Sequence, residues 1–182
     1  MLHFQKFDTY YYGWYIAIAL AITETVSYGI MYYAFSVFIT PMEESLGWSR
    51  GELTGGLSLA LLVAAVLAFP VGYWLDKRGS RALMTVGSIS ATILVILWSQ
   101  VTDFNHFIII WGLMGFCYAA TLYEPAFAVI ATWFIRRRGT AMAIVTFSAG
   151  FASTIFIPLS DALLQAFGWR QAILILGVML GV

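Results

Sequence analysis

The chain has 182 residues, 62% of them hydrophobic and 10% charged, with a mean hydropathy of +0.88 and a formal net charge of zero. Soluble domains carry about 25% charged and about 45–50% apolar residues, so a water-soluble fold could not cover this much apolar surface. Zero net charge argues against a nucleic-acid partner, which needs a basic surface.

The composition predicts an all-α polytopic membrane protein, because apolar runs of about 18 or more residues match a ~30 Å hydrocarbon core at 1.5 Å rise per residue. The alternating segments of a membrane barrel are absent. Cys117, the sole cysteine, lies inside an apolar run and excludes disulfide frameworks and Cys-based metal sites. The first apolar run is too long for a signal-peptide core and lacks a small-residue cleavage site, so the first helix is expected to remain in the mature protein.

Residues 1–12 form a polar and aromatic lead-in with Lys6 and Asp8, and Tyr10, Tyr11, Tyr12, Trp14 and Tyr15 read as an interfacial belt. A first helix is predicted over 13–39. Thr40-Pro41-Met42-Glu43 then offers a capping pattern, which predicts a short separate interfacial helix before Gly47. Ser49-Arg50-Gly51-Glu52 is a capping box that starts a second helix over 51–75. Gly56, Ala60, Ala64, Ala68 and Gly72 recur at a spacing of four on that helix and form a small-residue ridge, which calls for a closely approaching partner helix. Further helices are predicted over 82–101, 106–134 and 140–164, with Pro158 near the end of the last. After the turn Phe167-Gly168-Trp169-Arg170 comes a partial sixth helix over 172–182, worth about 16 Å and too short for a ~30 Å core.

Orientation follows from the basic residues, which concentrate in short cytoplasmic loops. With the N-terminus inside, the lead-in and the loops at about 76–81 and 135–139 hold Lys6, Lys77, Arg78, Arg81, Arg136, Arg137 and Arg138. Only Arg50 and Arg170 fall outside. The expected location is a cell membrane, crossed several times with a cytoplasmic N-terminus.

The stretch Gly72 to Met84, GYWLDKRGSRALM, resembles the loop between the second and third helices of the major facilitator superfamily, written G-x-L-a-D-R-x-G-R/K-R/K. Gly72, Asp76, Gly79 and Arg81 match, Lys77 is a conservative variant, and Trp74 and Ser80 depart from the pattern. WFIRRRGTAMA, from Trp133 to Ala143, is similar to that superfamily's connection between helices four and five. The LGWSR and FGWR turns resemble those of members similar to monocarboxylate transporters and oxalate/formate antiporters. The resemblance covers essentially the whole chain as the N-terminal six-helix half, its sixth helix truncated, of a protein with about twelve helices in two halves. It implies a secondary transporter, symport or antiport, that moves a small organic solute by alternating access. It also implies that Gly72, Asp76, Arg78, Gly79 and Arg81 are cytoplasmic gate elements, with Arg136 as a partner. Arg137 and Arg138 read instead as contacts for anionic lipid. The arginine common early in the superfamily's fourth helix, as R-x-x-x-G, is Trp111 here, so its role does not carry over.

Glu24 and Glu124 are acids inside the predicted spans, each about ten residues, or ~15 Å, from the cytoplasmic end of its helix. An ionisable residue at the bilayer centre costs at least ~2.5–3.5 kcal/mol, so it normally faces a cavity or a partner. If both face one cavity, repulsion and desolvation favour retention of a proton, as proton coupling requires. Packing within a helix bundle is the competing role for each. Pro125 lacks an amide hydrogen and frees the Thr121 carbonyl, which predicts a kink beside Glu124. Tyr28, Tyr118, Thr121 and Tyr123 are candidate solute contacts at that level, although hydroxyls on apolar helices often bond their own backbone.

An integral membrane enzyme is disfavoured, because no H-E-x-x-H occurs, Phe147-Ser148-Ala149-Gly150 lacks the glycine of a nucleophile elbow, and His3 and His106 are far apart. The reading calls for no cofactor and no metal. Its partners are a small-molecule solute, protons, the lipid bilayer and a missing C-terminal half. The alternative is a non-transporting fragment, or a half-molecule subunit that needs a second six-helix half. The solute stays open: the resemblance suggests monocarboxylates, yet the helices hold no basic residue for an anion, so the solute is an anion held from elsewhere, a neutral molecule, or a cation drawn to the two glutamates.

Overall fold

The computed structural model of the chain describes residues 12–181. Lys6, Asp8, Tyr10, Tyr11, His3 and Val182 lie outside the described residues. Among the described residues every regular element is helical, and five continuous stretches are long and apolar enough to cross a membrane.

The first span joins α1 (Tyr12–Ser27), a π-helical turn (Tyr28–Tyr33) and α2 (Ala34–Leu46). No separate interfacial helix follows Thr40. Instead α2 runs through Pro41 and stops at Gly47, whose φ of 73° closes the helix with its N–H on the Glu43 carbonyl at 3.0 Å. Proline at Pro41 removes only the bond to the Val37 carbonyl, near the end of the span, so the helix continues past it.

The second span is α3 (Arg50–Arg78), which starts one residue before and ends three residues after its predicted bounds. Its capping box forms as the spacing predicts: the Glu52 N–H donates to Ser49 Oγ at 3.2 Å, and the Ser49 N–H donates to Glu52 Oε2 at 2.8 Å. Gly79 ends it at φ 75°, a left-handed value that glycine adopts without a Cβ clash. The third span is α4 (Arg81–Ser99). The fourth is split into α5 (Phe104–Thr121) and α6 (Tyr123–Trp133), and the fifth into α7 (Arg138–Gly150) and α8 (Ala152–Phe167). Asp103 caps α5 by accepting from the N–H groups of Asn105 and His106 at 3.0 and 3.3 Å. Gly168, at φ 77°, turns the chain into α9 (Trp169–Leu180).

Helix α3 packs along α5, α4 lies between α5 and α9, and α1 lies along α7. One core is aromatic and joins Phe35, Trp98, Phe107 and Trp111, with the Phe35 and Trp111 ring centroids 4.5 Å apart. A second core joins Ala17 and Ala21 of α1 to Ala126 and Ile130 of α6 and Val145 of α7. The small-residue ridge of α3 divides between two environments. At its start a Cβ on Gly56 would come 2.6 Å from the Phe107 ring, and a Cβ on the facing Gly115 would come 2.5 Å from the Ala60 carbonyl oxygen. The tight partner of the ridge is therefore α5. At its far end Ala68 is exposed and nothing lies within 4 Å of the Cβ position of Gly72.

Candidate functional site

Both the first and the fourth span depart from regular α-helix part-way along, and the two departures meet. In the first, the Ala34 N–H reaches back five residues to the Gly29 carbonyl, so the turn is wider than an α-turn. Two groups from other spans fit into it. A Cβ at Gly29 would come 2.1 Å from a ring carbon of Phe156 on α8, so only glycine lets that ring approach. The Tyr118 hydroxyl of α5 donates to the Met31 carbonyl at 2.6 Å in a buried bond.

The fourth span breaks at Leu122, whose ψ of −157° takes it out of the helix, while its N–H still bonds the Tyr118 carbonyl. Pro125 then occupies the first turn of α6, where a missing N–H costs nothing because the first amides of a helix have no partner within it. Glu124 lies in the same turn, where a helix N-terminus favours negative charge.

Tyr28 of the wide turn and Tyr123 beside the break face each other with ring centroids 4.7 Å apart, and Phe127 extends the row behind Tyr123 at 5.2 Å. Glu24, one turn before Tyr28, is within electrostatic range of Glu124, and both glutamates are within range of Tyr28. Tyr33 lies in range of both Tyr28 and Tyr123. Glu24 is 1% exposed and its Oε2 has no hydrogen-bond partner among the described residues, whereas Glu124 is exposed. The arrangement is thus a half-open face that carries two carboxylates and three phenols.

Of the residues selected from the sequence, Glu24, Glu124, Tyr28 and Tyr123 come together. Tyr118 and Thr121 are engaged elsewhere, Tyr118 on Met31 and the Thr121 hydroxyl on the Cys117 carbonyl at 2.6 Å. Thr121 also lines a cavity of about 260 Å³ between α1 and α4, with Thr23, Ser27 and Ser88. Tyr33 and Phe127 join them without a mark of their own among the many aromatic residues of the sequence. Phe127 sits four residues after Tyr123, and that spacing was the available signal.

Among the described residues no Lys, Arg or His is in electrostatic range of Glu24, Tyr28 or Tyr123. Arg50 is held by Glu43 at 3.6 Å and by Thr40, and Arg170 donates to the Ser99 carbonyl at 3.2 Å. Trp111, which replaces the superfamily's arginine, is fully buried among Phe35, Trp98 and Phe107.

The predicted gate residues surround one end of the bundle. Arg78, Gly79 and Arg81 line a cavity of about 490 Å³ with Tyr12, Thr132 and Trp133. The Arg78 guanidinium lies 4.5 Å from the Trp74 ring centroid and the Lys77 ammonium 4.3 Å from that of Tyr73, so both basic side chains fold back on their own helix. Asp76 and Arg136 are exposed, and among the described residues no ion pair joins Asp76 to Arg78, Arg81 or Arg136.

Comparison with known proteins bears on this arrangement. The family model described as Major Facilitator Superfamily matches residues 20–182. The chain belongs to the major facilitator superfamily. Among relatives, "Monocarboxylate transporter 11" of Homo sapiens is 29% identical over 91% of this chain and 35% of its own length. "Monocarboxylate transporter 7" of Homo sapiens is 24% identical over 92% of the chain and 32% of its own length. The "Uncharacterized MFS-type transporter YcxA" of Bacillus subtilis is 26% identical over 81% of the chain and 36% of its own length. The chain therefore spans about a third of the length of these relatives. Five apolar spans and membership in this superfamily make it a multi-pass membrane protein of a transporter family.

Proposed function

We propose that this chain forms the first half of a secondary active transporter that moves a small organic solute by alternating access, and that Glu24 and Glu124 couple the movement to protons. The observation that carries the reading is the meeting of the two irregular spans at the buried Glu24 carboxylate, whose Oε2 has no hydrogen-bond partner among the described residues. Interrupted helices supply polar backbone at mid-membrane depth only where it faces protein or a cavity. A lone buried carboxylate needs a proton or a cation to offset its lost hydration, and a group that must bind and release a proton is the minimum for coupling. Names of relatives bring monocarboxylates in as the first solute class to assay.

In this reading a second six-helix half completes the cavity, and a chain without it binds but does not transport. The basic loops face the cytoplasm of a cell membrane with the N-terminus on the same side. Gly72, Asp76, Arg78, Gly79, Arg81 and Arg136 form the gate at that end, where the exposed Asp76 and Arg136 are available to the other half. The test is solute uptake by the full gene product in proteoliposomes, with and without an imposed pH gradient. Glu24→Gln and Glu124→Gln are each expected to remove the gradient dependence. Uptake that keeps its full gradient dependence in both variants overturns the reading.

A further inference from the structure

Taking that site as the solute site, we propose that its solute carries a cationic nitrogen, an organic ammonium held between the Glu24 and Glu124 carboxylates and the half-buried ring of Tyr28, with Tyr33 beside it.

The charge balance points to this class. Glu24 is buried with an unpartnered Oε2, and Glu124 adds a second carboxylate within electrostatic range. Among the described residues no basic side chain offsets them, because the position of the superfamily's arginine is a buried tryptophan and the arginines stand at the ends of the spans. A free carboxylate solute would add negative charge beside two acids, whereas an ammonium can take the place of the proton that the buried Glu24 carboxylate otherwise needs.

The aromatic groups narrow the class further. Tyr123 is covered by Tyr28 on one side and Phe127 on the other, whereas Tyr28, within range of both glutamates, is only half-buried and Tyr33 lies in range of it. Ring faces attract alkylammonium groups, and the attraction strengthens where water is excluded. A hard metal ion prefers six to eight oxygen ligands, and among the described residues no group of three or more metal-ligating side chains occurs. The face therefore suits an alkylated nitrogen.

A proton and an ammonium then compete for the same carboxylates. The titratable groups near Glu24 are Glu124 and Tyr123 from α6 and Tyr28 from the wide turn. Helix α7, packed along α1, has no ionisable residue after Arg138, and Asp161 of α8 accepts from Gln165 at 2.7 Å. Ammonium affinity should accordingly fall as pH falls.

The test measures binding to the full gene product in lipid nanodiscs with three probes: choline, its uncharged isostere 3,3-dimethylbutan-1-ol, and lactate. Choline is expected to bind about tenfold tighter than the isostere and to weaken at low pH. Glu24→Gln should abolish the difference between the two. Tyr28→Phe should keep it and Tyr28→Leu should reduce it, a pair that reports on the ring face in a half-buried residue that tolerates exchange. Equal binding of choline and its isostere, or binding of neither, overturns the proposal. Lactate binding that depends on Glu24 while choline fails would reject the ammonium and leave the site standing. Choline binding untouched by Glu24→Gln and Glu124→Gln would reject both.

Discussion

Tyr118 separates a structural role from a solute contact, and Tyr118→Phe is the perturbation that does so. The variant keeps the ring, which is 2% exposed, and deletes only the hydroxyl that donates to the Met31 carbonyl at 2.6 Å. Hydrogen bonds between membrane helices contribute about 0.6 kcal/mol on average and up to about 1.7. This one is short, buried and aimed at a carbonyl of the wide turn, which places the expected loss in the upper half, about 1–1.5 kcal/mol. That corresponds to about a five- to tenfold shift in the folding equilibrium. Unfolding in bicelles by steric trapping reads the stability, and solute binding by the same variant reads the site. The expected result is the stability loss with affinity changed less than about threefold. Unchanged stability with a tenfold loss of affinity would refute the assignment and return Tyr118 to the solute.

Three further predictions use the same stability assay. Gly115→Ala places a Cβ 2.5 Å from the Ala60 carbonyl oxygen and 2.6 Å from Val63 Cβ, so it should cost about 1–3 kcal/mol by forcing α3 from α5. Gly112→Ala, three residues away on α5, meets only Leu59 Cδ2 at 3.7 Å and should stay within about 0.5 kcal/mol; equal effects in the two would contradict the ridge contact. Ser49→Ala should cost about 1 kcal/mol by removing the cap of α3, with solute binding unaffected. Gly79→Ala forces a left-handed backbone on alanine and should cost about 1–2 kcal/mol, whereas Gly139→Ala, with nothing within 4 Å and no left-handed φ, should be neutral.

What could be read from the sequence is what residues declare within a few positions. Ser49 and Glu52 announce the start of α3 by chemistry three residues apart, and Glu24 and Glu124 stand out because an acid in an apolar run is costly. The wide turn at Tyr28–Tyr33 has no such declaration. It is held by Tyr118, 87 residues from its acceptor, and by the ring of Phe156 against Gly29, contacts that exist only once the spans pack. Pro125 signals a disturbance in the fourth span, yet the break falls three residues earlier at Leu122, because a proline fits the first turn of a new helix. Pro41 carried the opposite lesson: it resembled the start of a helix and lies inside one. The Thr121 hydroxyl bonds the Cys117 carbonyl one turn back, a local bond open to any hydroxyl on an apolar helix, whereas the Tyr118 bond to Met31 exists only once the spans pack.

The central claim is that Glu24 and Glu124 act as one site across the first and fourth spans. A double-mutant cycle with Glu24→Gln, Glu124→Gln and the pair, read by solute affinity against pH in the full gene product, tests it most directly. A shared site predicts strong non-additivity, with the double variant losing no more than the worse single and all three flat with pH. Losses that simply add, each variant keeping half of the pH dependence, would contradict it.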